Sequence, residues 1–276
     1  MAAENDIGDL RADPRVSTLA YFGTELRLVR EEAGLSQSGL GRHTFYAPSY
    51  ISRVESANRV PSKKFAQRCD TALVTGGRFE RLWPLVIEHA YPEWFTSFVH
   101  LEEEATEVWN YQNCVVPGLL QTEEYARAMF LGGPLPDFQK HVTARLSRQQ
   151  VLERKSPPHY WAGLNEAVLH RPLGGRDVMR RQLEHLLACA DNPNVIIQVL
   201  PFDAGAPAGL SGDFCGLRLD TGPEAVYEDG IVRGTVLFEP DDVRFARRAY
   251  DLLMAHALSP NASLDMIAAR AKELVS

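Results

Sequence analysis

With 276 residues, 45% of them apolar, the chain can bury more than one core, and two domains are expected. No stretch of eighteen apolar residues occurs and the first fifteen residues are polar and acidic, so neither a membrane span nor a secretory leader is expected, and the predicted location is the cytoplasm. The net charge of −7 opposes nucleic-acid binding at first sight, yet residues 20–90 hold ten Lys/Arg against seven Asp/Glu, and phosphate attraction follows local charge.

Residues 1–17 lack periodicity and contain Gly8 and Pro14, which predicts a flexible arm. A helix is expected to start near Leu19, because Phe22, Leu26, Val29 and Ala33 recur at helical spacing and Gly34 follows as a terminating glycine. Residues 34–61 read as two short helices joined by a tight connection. Ser36 caps the first, which holds Leu40; a break over 43–47 follows; the second begins near Pro48 and runs about nine residues. In that second helix Ile51 and Val54 share one side, while Ser49, Ser52, Arg53 and Ser56 share the other. Small hydroxyls and one Arg fit a DNA major groove, where Arg can bond guanine in a bidentate way. Ser62 opens a further helix with Phe65, Cys69 and Leu73 on one face, Gly76 and Gly77 close it, and residues 79–89 make a fifth. Lys63 and Lys64, in the first turn of the helix that Ser62 opens, read as phosphate contacts or as solvated surface charge.

The run Leu26, Arg30, AGLSQ at 33–37, Leu40, SYISRVE at 49–55 and Pro61-Ser62 resembles the XRE-type, or phage-repressor-like, helix-turn-helix family. That resemblance implies a five-helix domain over 18–95 whose third helix enters the major groove, commonly as a homodimer on two half-sites of double-stranded DNA. It further implies Gln37 at a phosphate, Ser49, Ser52 and Arg53 at base edges, and a structural ion pair between Arg30 and Glu55. The chain departs from the family at two glycine positions, which are Phe45-Tyr46 in the turn and Ala57 after the third helix. A left-handed Phe is strained, so a turn of different length or geometry is expected. Pro48 replaces a base-reading side chain and offers no donor there. Tyr46 or Tyr50 is left to reach a phosphate or to pack.

Beyond residue 95 the acidic stretch 101–108, with Glu102, Glu103, Glu104 and Glu107, reads as a solvated helix face rather than a metal cluster. A strand-like piece ends at Val115 and Val116, residues 117–121 form a loop, and Thr122 caps a helix through Leu131. Residues 145–153 and 177–190 are further helices. From Asn194 the period changes: 195–202, 214–220, 225–229 and 234–239 are four strands of a small, partly antiparallel sheet, and Asp241 and Ser263 cap two closing helices. Residues 96–276 are therefore an α+β, or mixed α/β, domain. Cys69, Cys114, Cys189 and Cys215 are widely spaced and read as buried thiols, with no metal site.

The stretches 115–129, 171–175, 194–214 and 257–264 are similar to the C-terminal domain of actinobacterial WhiJ-like regulators. The resemblance implies transcriptional control of development or secondary metabolism, with a small BldB-like protein as partner. Pro117, Leu119, Leu120, Gln121, Phe202, Leu210 and Phe214 lie in loops rich in apolar and small residues, which makes them candidates for a partner or an unknown small-molecule ligand; the alternative is that Pro117, Leu119 and Leu120 pack between the sheet and the next helix. Ser211 lacks nucleophile-elbow spacing and no phosphate-binding glycine motif occurs. His159, His170 and His185 with Asp213 or Glu166 are the remaining catalytic candidates if a pocket assembles them, and otherwise ordinary surface or packing histidines. The expectation is a DNA-binding regulator without cofactor or catalytic residues, nucleoid-associated when bound; the alternative is a C-terminal enzyme or pure interaction module tethered to DNA.

Overall fold

A computed structural model describes residues 17–133, 138–205, 212–230 and 232–275. The chain divides into two compact units, Met1–Thr96 and Ser97–Ser276. No described helix is long and apolar enough to cross a membrane. The expected arm, apart from Ser17, lies outside the described residues, as do Leu210 and Ser211.

The first unit is built from α1 (Thr18–Glu32), α2 (Gln37–Thr44), α3 (Pro48–Glu55), α4 (Lys63–Leu73) and α5 (Arg78–Ala90). Ser17, Ser36 and Ser62 each place a hydroxyl oxygen on a first-turn N–H, of Ala20, Gly39 and Phe65, and so start α1, α2 and α4. Phe22, Leu26, Leu40, Ile51, Val54, Phe65, Cys69 and Phe79 are fully buried and form the core. Two contacts depend on tertiary structure alone. Asp70 of α4 accepts the N–H of Phe79 at 2.9 Å and of Glu80 at 2.8 Å, capping α5 from a neighbouring helix. Gly23 of α1 lies against the end of α3, where an added Cβ would collide with the Val54 carbonyl oxygen.

Helix α6 (Glu93–Glu104) spans the boundary and runs directly into β1 (Ala105–Gln112). The second unit holds a six-stranded sheet in the order β3-β2-β1-β4-β5-β6, with β2 (His159–Asn165), β3 (Val195–Leu200), β4 (Phe214–Leu219), β5 (Ala225–Glu228) and β6 (Thr235–Leu237). Strand β1 pairs with β2, and β2 with β3, in parallel; β1–β4, β4–β5 and β5–β6 are antiparallel. Helices α7 (Glu123–Leu131) and α8 (Phe138–Arg148) fill the β1–β2 crossover, and α9 (Arg176–Cys189) fills the β2–β3 crossover. Helix α10 (Pro240–His256) lays Val243, Ala249, Tyr250 and Leu253 on Trp109, Tyr111, Phe214 and Val226 of the sheet. Helix α11 (Pro260–Glu273) packs beside α9 and β3.

The α+β class stands, and several local expectations are corrected. The strand-like piece expected before Val116 is β1, which ends at Gln112 and joins the same sheet, and an unexpected strand, β2, pairs in parallel with β1 and β3. Strand β2 carries Ala162, Gly163 and Asn165, weak strand formers, and Gly163 is required because Met254 and Tyr111 crowd its α-carbon. Glu102 is not a solvated residue: it is 2% exposed and takes two bonds from Arg148, at 2.7 and 2.8 Å. The closing helices begin earlier than expected, after Glu239 and Ser259, because Pro240 and Pro260 occupy their first turns; only Ser259 caps, its hydroxyl accepting the Ala262 N–H. Cys69 and Cys215 are buried, whereas Cys114 is exposed and Cys189 half-buried.

Candidate nucleic-acid interface

Helix α2 ends on Phe45, whose φ of 60° and ψ of 38° are left-handed, and Ala57 after α3 has φ 57°. The turn therefore keeps the backbone that glycine would supply freely and imposes it on Phe and Ala. The expected change of turn geometry does not occur. Packing over-determines the strained residue. Next to Phe45, Tyr46 packs against Tyr50 at 4.5 Å and Phe65 at 5.0 Å between ring centroids. Its hydroxyl shares a hydrogen bond with Ser62 Oγ at 3.1 Å.

Helix α3 buries Tyr50, Ile51, Val54 and Glu55 and turns Ser49 and Arg53 to solvent, with Ser52 half-buried. One bidentate pair fixes its orientation. Arg30 Nε donates to Glu55 Oε1 at 2.5 Å and Nη2 to Oε2 at 3.1 Å, while Nη1 donates to the Leu35 carbonyl at 2.7 Å. The Glu55 side chain is wholly inaccessible, and its hydrogen bond pushes the Arg30 guanidinium above its ordinary value. This pair joins α1, the α1–α2 connection and α3, so the outward face of α3 is held by groups that never reach it.

The phosphate candidates separate. Lys63 and Lys64 are exposed in the first turn of α4. Gln37, half-exposed at the first position of α2, donates one amide hydrogen to Glu55 Oε2 at 2.8 Å and has a second remaining for a phosphate. Tyr50 is not available: its ring is buried, its hydroxyl accepts the Ser62 N–H at 3.2 Å, and burial drives its phenol well above the ordinary value. Its position in the aromatic cluster of the turn explains this. Arg53 makes no side-chain hydrogen bond or ion pair to a described residue, so its guanidinium has all its donors for a ligand.

Residues 22–82 match the helix-turn-helix domain family, and residues 95–269 match a domain of unknown function, DUF5753. The chain belongs to the DUF5753 family. No curated protein and no solved structure matches it significantly. The helix-turn-helix match covers α1 to α4 and the first turn of α5, so this DUF5753 protein is a DNA-binding regulator of transcription.

The loop candidates of the DUF5753 domain are mostly interior. Pro117, Leu119, Leu120 and Gln121 are buried. Gln121 Nε2 donates to the Val116 carbonyl at 2.7 Å, Gln149 Nε2 to the Gln121 carbonyl at 2.6 Å, and Gln182 spans the Leu120 carbonyl and the Thr122 N–H, each at 2.7 Å. Three glutamine amides satisfy a buried irregular backbone, so this loop is a structural seam and not an open surface. Phe214 is buried in the α10 cluster. Only Phe202, 60% exposed, stays accessible among the described candidates; its N–H donates to Glu166 Oε2 at 2.8 Å. The histidines have separate neighbours: His170 lies 3.4 Å from Glu166, and His185 lies 3.4 Å from Cys189. Asp213 instead accepts from Asn113.

Proposed function

We propose that this DUF5753 protein is a sequence-specific transcriptional regulator of the XRE type, acting in the cytoplasm on double-stranded DNA as a homodimer. Ser49, Ser52 and Arg53 read base edges, and Gln37, Lys63 and Lys64 hold phosphates. The observation that carries this reading is the outward face of α3, held rigid through the buried Arg30–Glu55 pair. The C-terminal domain supplies dimerisation and the response to a small protein or ligand, in the manner of WhiJ-like regulators of development or secondary metabolism, with a BldB-like protein as the candidate partner. A regulatory rather than catalytic role fits two of its thiols: burial pushes Cys189 up to about 11 and Cys215 up to about 12, so neither of these two is an activated nucleophile at neutral pH. Selection of bound duplexes from random-sequence DNA tests the proposal. An enriched inverted repeat with half-sites about one helical turn apart is the expected result; recovery of unenriched DNA sinks it.

A further inference from the structure

The entry to α3 carries a second feature that base-reading through Ser49, Ser52 and Arg53 does not use. Phe45 is 81% exposed, and Ala47 and Pro48 are exposed as well. Tyr46, between them, points into the core. Stability does not account for Phe45. A side chain so exposed buries little apolar surface, and its backbone occupies a region that glycine adopts without penalty. The side chain is nevertheless held. Arg68 Nη1 donates to the Thr44 carbonyl at 2.8 Å, and its guanidinium lies 5.4 Å from the centre of the Phe45 ring and 5.6 Å from that of Tyr46. Thus a fixed aromatic ring, a methyl group and a pyrrolidine ring stand exposed where the chain enters its recognition helix. None of the three side chains can form a hydrogen bond, and Pro48 has no N–H. In the major groove the one apolar group that distinguishes a base is the C5-methyl of thymine.

We propose that Phe45, Ala47 and Pro48 form an apolar tip that selects thymine through its C5-methyl group, next to the bases contacted by Ser49 and Arg53. The proposal rests on the DNA-reading role of α3. It makes Pro48 a specificity residue rather than a lost contact, and it gives the strained Phe45 a function.

The test replaces single thymines of a selected duplex by deoxyuridine, which removes only the methyl group and leaves the protein untouched. Equilibrium binding is measured with the full chain and with Phe45→Gly. Deoxyuridine at one or two positions per half-site is expected to weaken wild-type binding about 4-fold per methyl lost. Phe45→Gly is expected to weaken binding to the thymine duplex, to leave binding to the deoxyuridine duplex unchanged, and to raise Tm. Equal wild-type binding to thymine and deoxyuridine at every position overturns the proposal, as does a Phe45→Gly loss of the same size on both duplexes. Failure to recover any selected duplex instead removes the DNA reading beneath it.

Discussion

Each unit is pinned by one buried arginine–glutamate pair, and the two pairs serve different ends. In the helical unit Arg30 and Glu55 lie beneath the outward face of α3, the face proposed to read DNA; Arg30 also donates to Glu31 Oε1 at 3.2 Å and to the Leu35 carbonyl, and Glu55 accepts from Gln37. In the sheet unit Arg148 and Glu102 join α8 to the end of α6, with the Arg148 guanidinium 5.3 Å from the centre of the Phe98 ring, and all of this is interior. A buried pair is weak evidence of net stability, but it defines one arrangement, because either charge alone is costly. The first pair therefore sets the aim of a surface, and the second sets the register of a core.

Breaking the pairs should give the largest effects. Arg148→Ala strands the buried Glu102, and Glu55→Ala leaves the buried Arg30 with the solvent-exposed Glu31 as its counter-charge; each should cost about 3–5 kcal/mol. Hydrogen exchange read by mass spectrometry should show the loss of protection in the helical unit for the first and in the sheet unit for the second. Wild-type exchange in either variant would contradict the comparison. Next come two close approaches. Gly23→Ala drives a methyl into the carbonyl of Val54, and Gly216→Ala drives one into the ring of Trp109 on the adjacent strand. Each should cost about 1–3 kcal/mol in denaturant unfolding, and only the first should also weaken DNA binding, since it displaces α3.

Smaller effects sharpen the contrast further. Val74 ends α4 with φ 53° and is 89% exposed, so Val74→Gly should stabilise the helical unit by about 1 kcal/mol or less without changing DNA affinity. A loss of affinity would tie that strain to the interface. In the sheet unit, burial holds the His185 imidazole below its ordinary value of 6.5. The unfolded chain then binds a proton that the folded chain refuses. Stability is intact above pH 6.5 and declines as pH falls below it. His185→Gln should flatten that decline between pH 7.5 and 5.5; an unchanged slope would assign it elsewhere.

What was legible in the sequence follows the same division. Ser36, Ser62 and Gly34, with apolar residues at helical spacing, placed α1 to α4 to within about two residues, because caps and helix periodicity are local signals. Capping of α5 by Asp70 and the contact at Gly23 were not legible, since both depend on helices meeting across the core. In the sheet unit the β-branched β3 was legible. The parallel β2 was not, because its Gly163 and Ala162 suit the packing of Met254 and Tyr111 better than any strand pattern. For residues 117–121 the apolar, small composition left a binding surface and interior packing both open, and the amides that decide for packing come from Gln149 and Gln182, distant in the chain. On α3 the pattern placed Ile51 and Val54 inward and Ser49 and Arg53 outward as found, whereas Ser52 and Ser56 are half-buried and the burial of Tyr50 depends on where Phe65 lies.

The most direct measurement is a comparison of the DNA sequences selected by the wild-type chain and by Arg53→Ala, with affinities determined on the winning duplex. The expected result is a loss of about 1–3 kcal/mol and relaxed preference at a single guanine position per half-site, with the remaining positions unchanged. Identical preferences and affinities for the two proteins would contradict it.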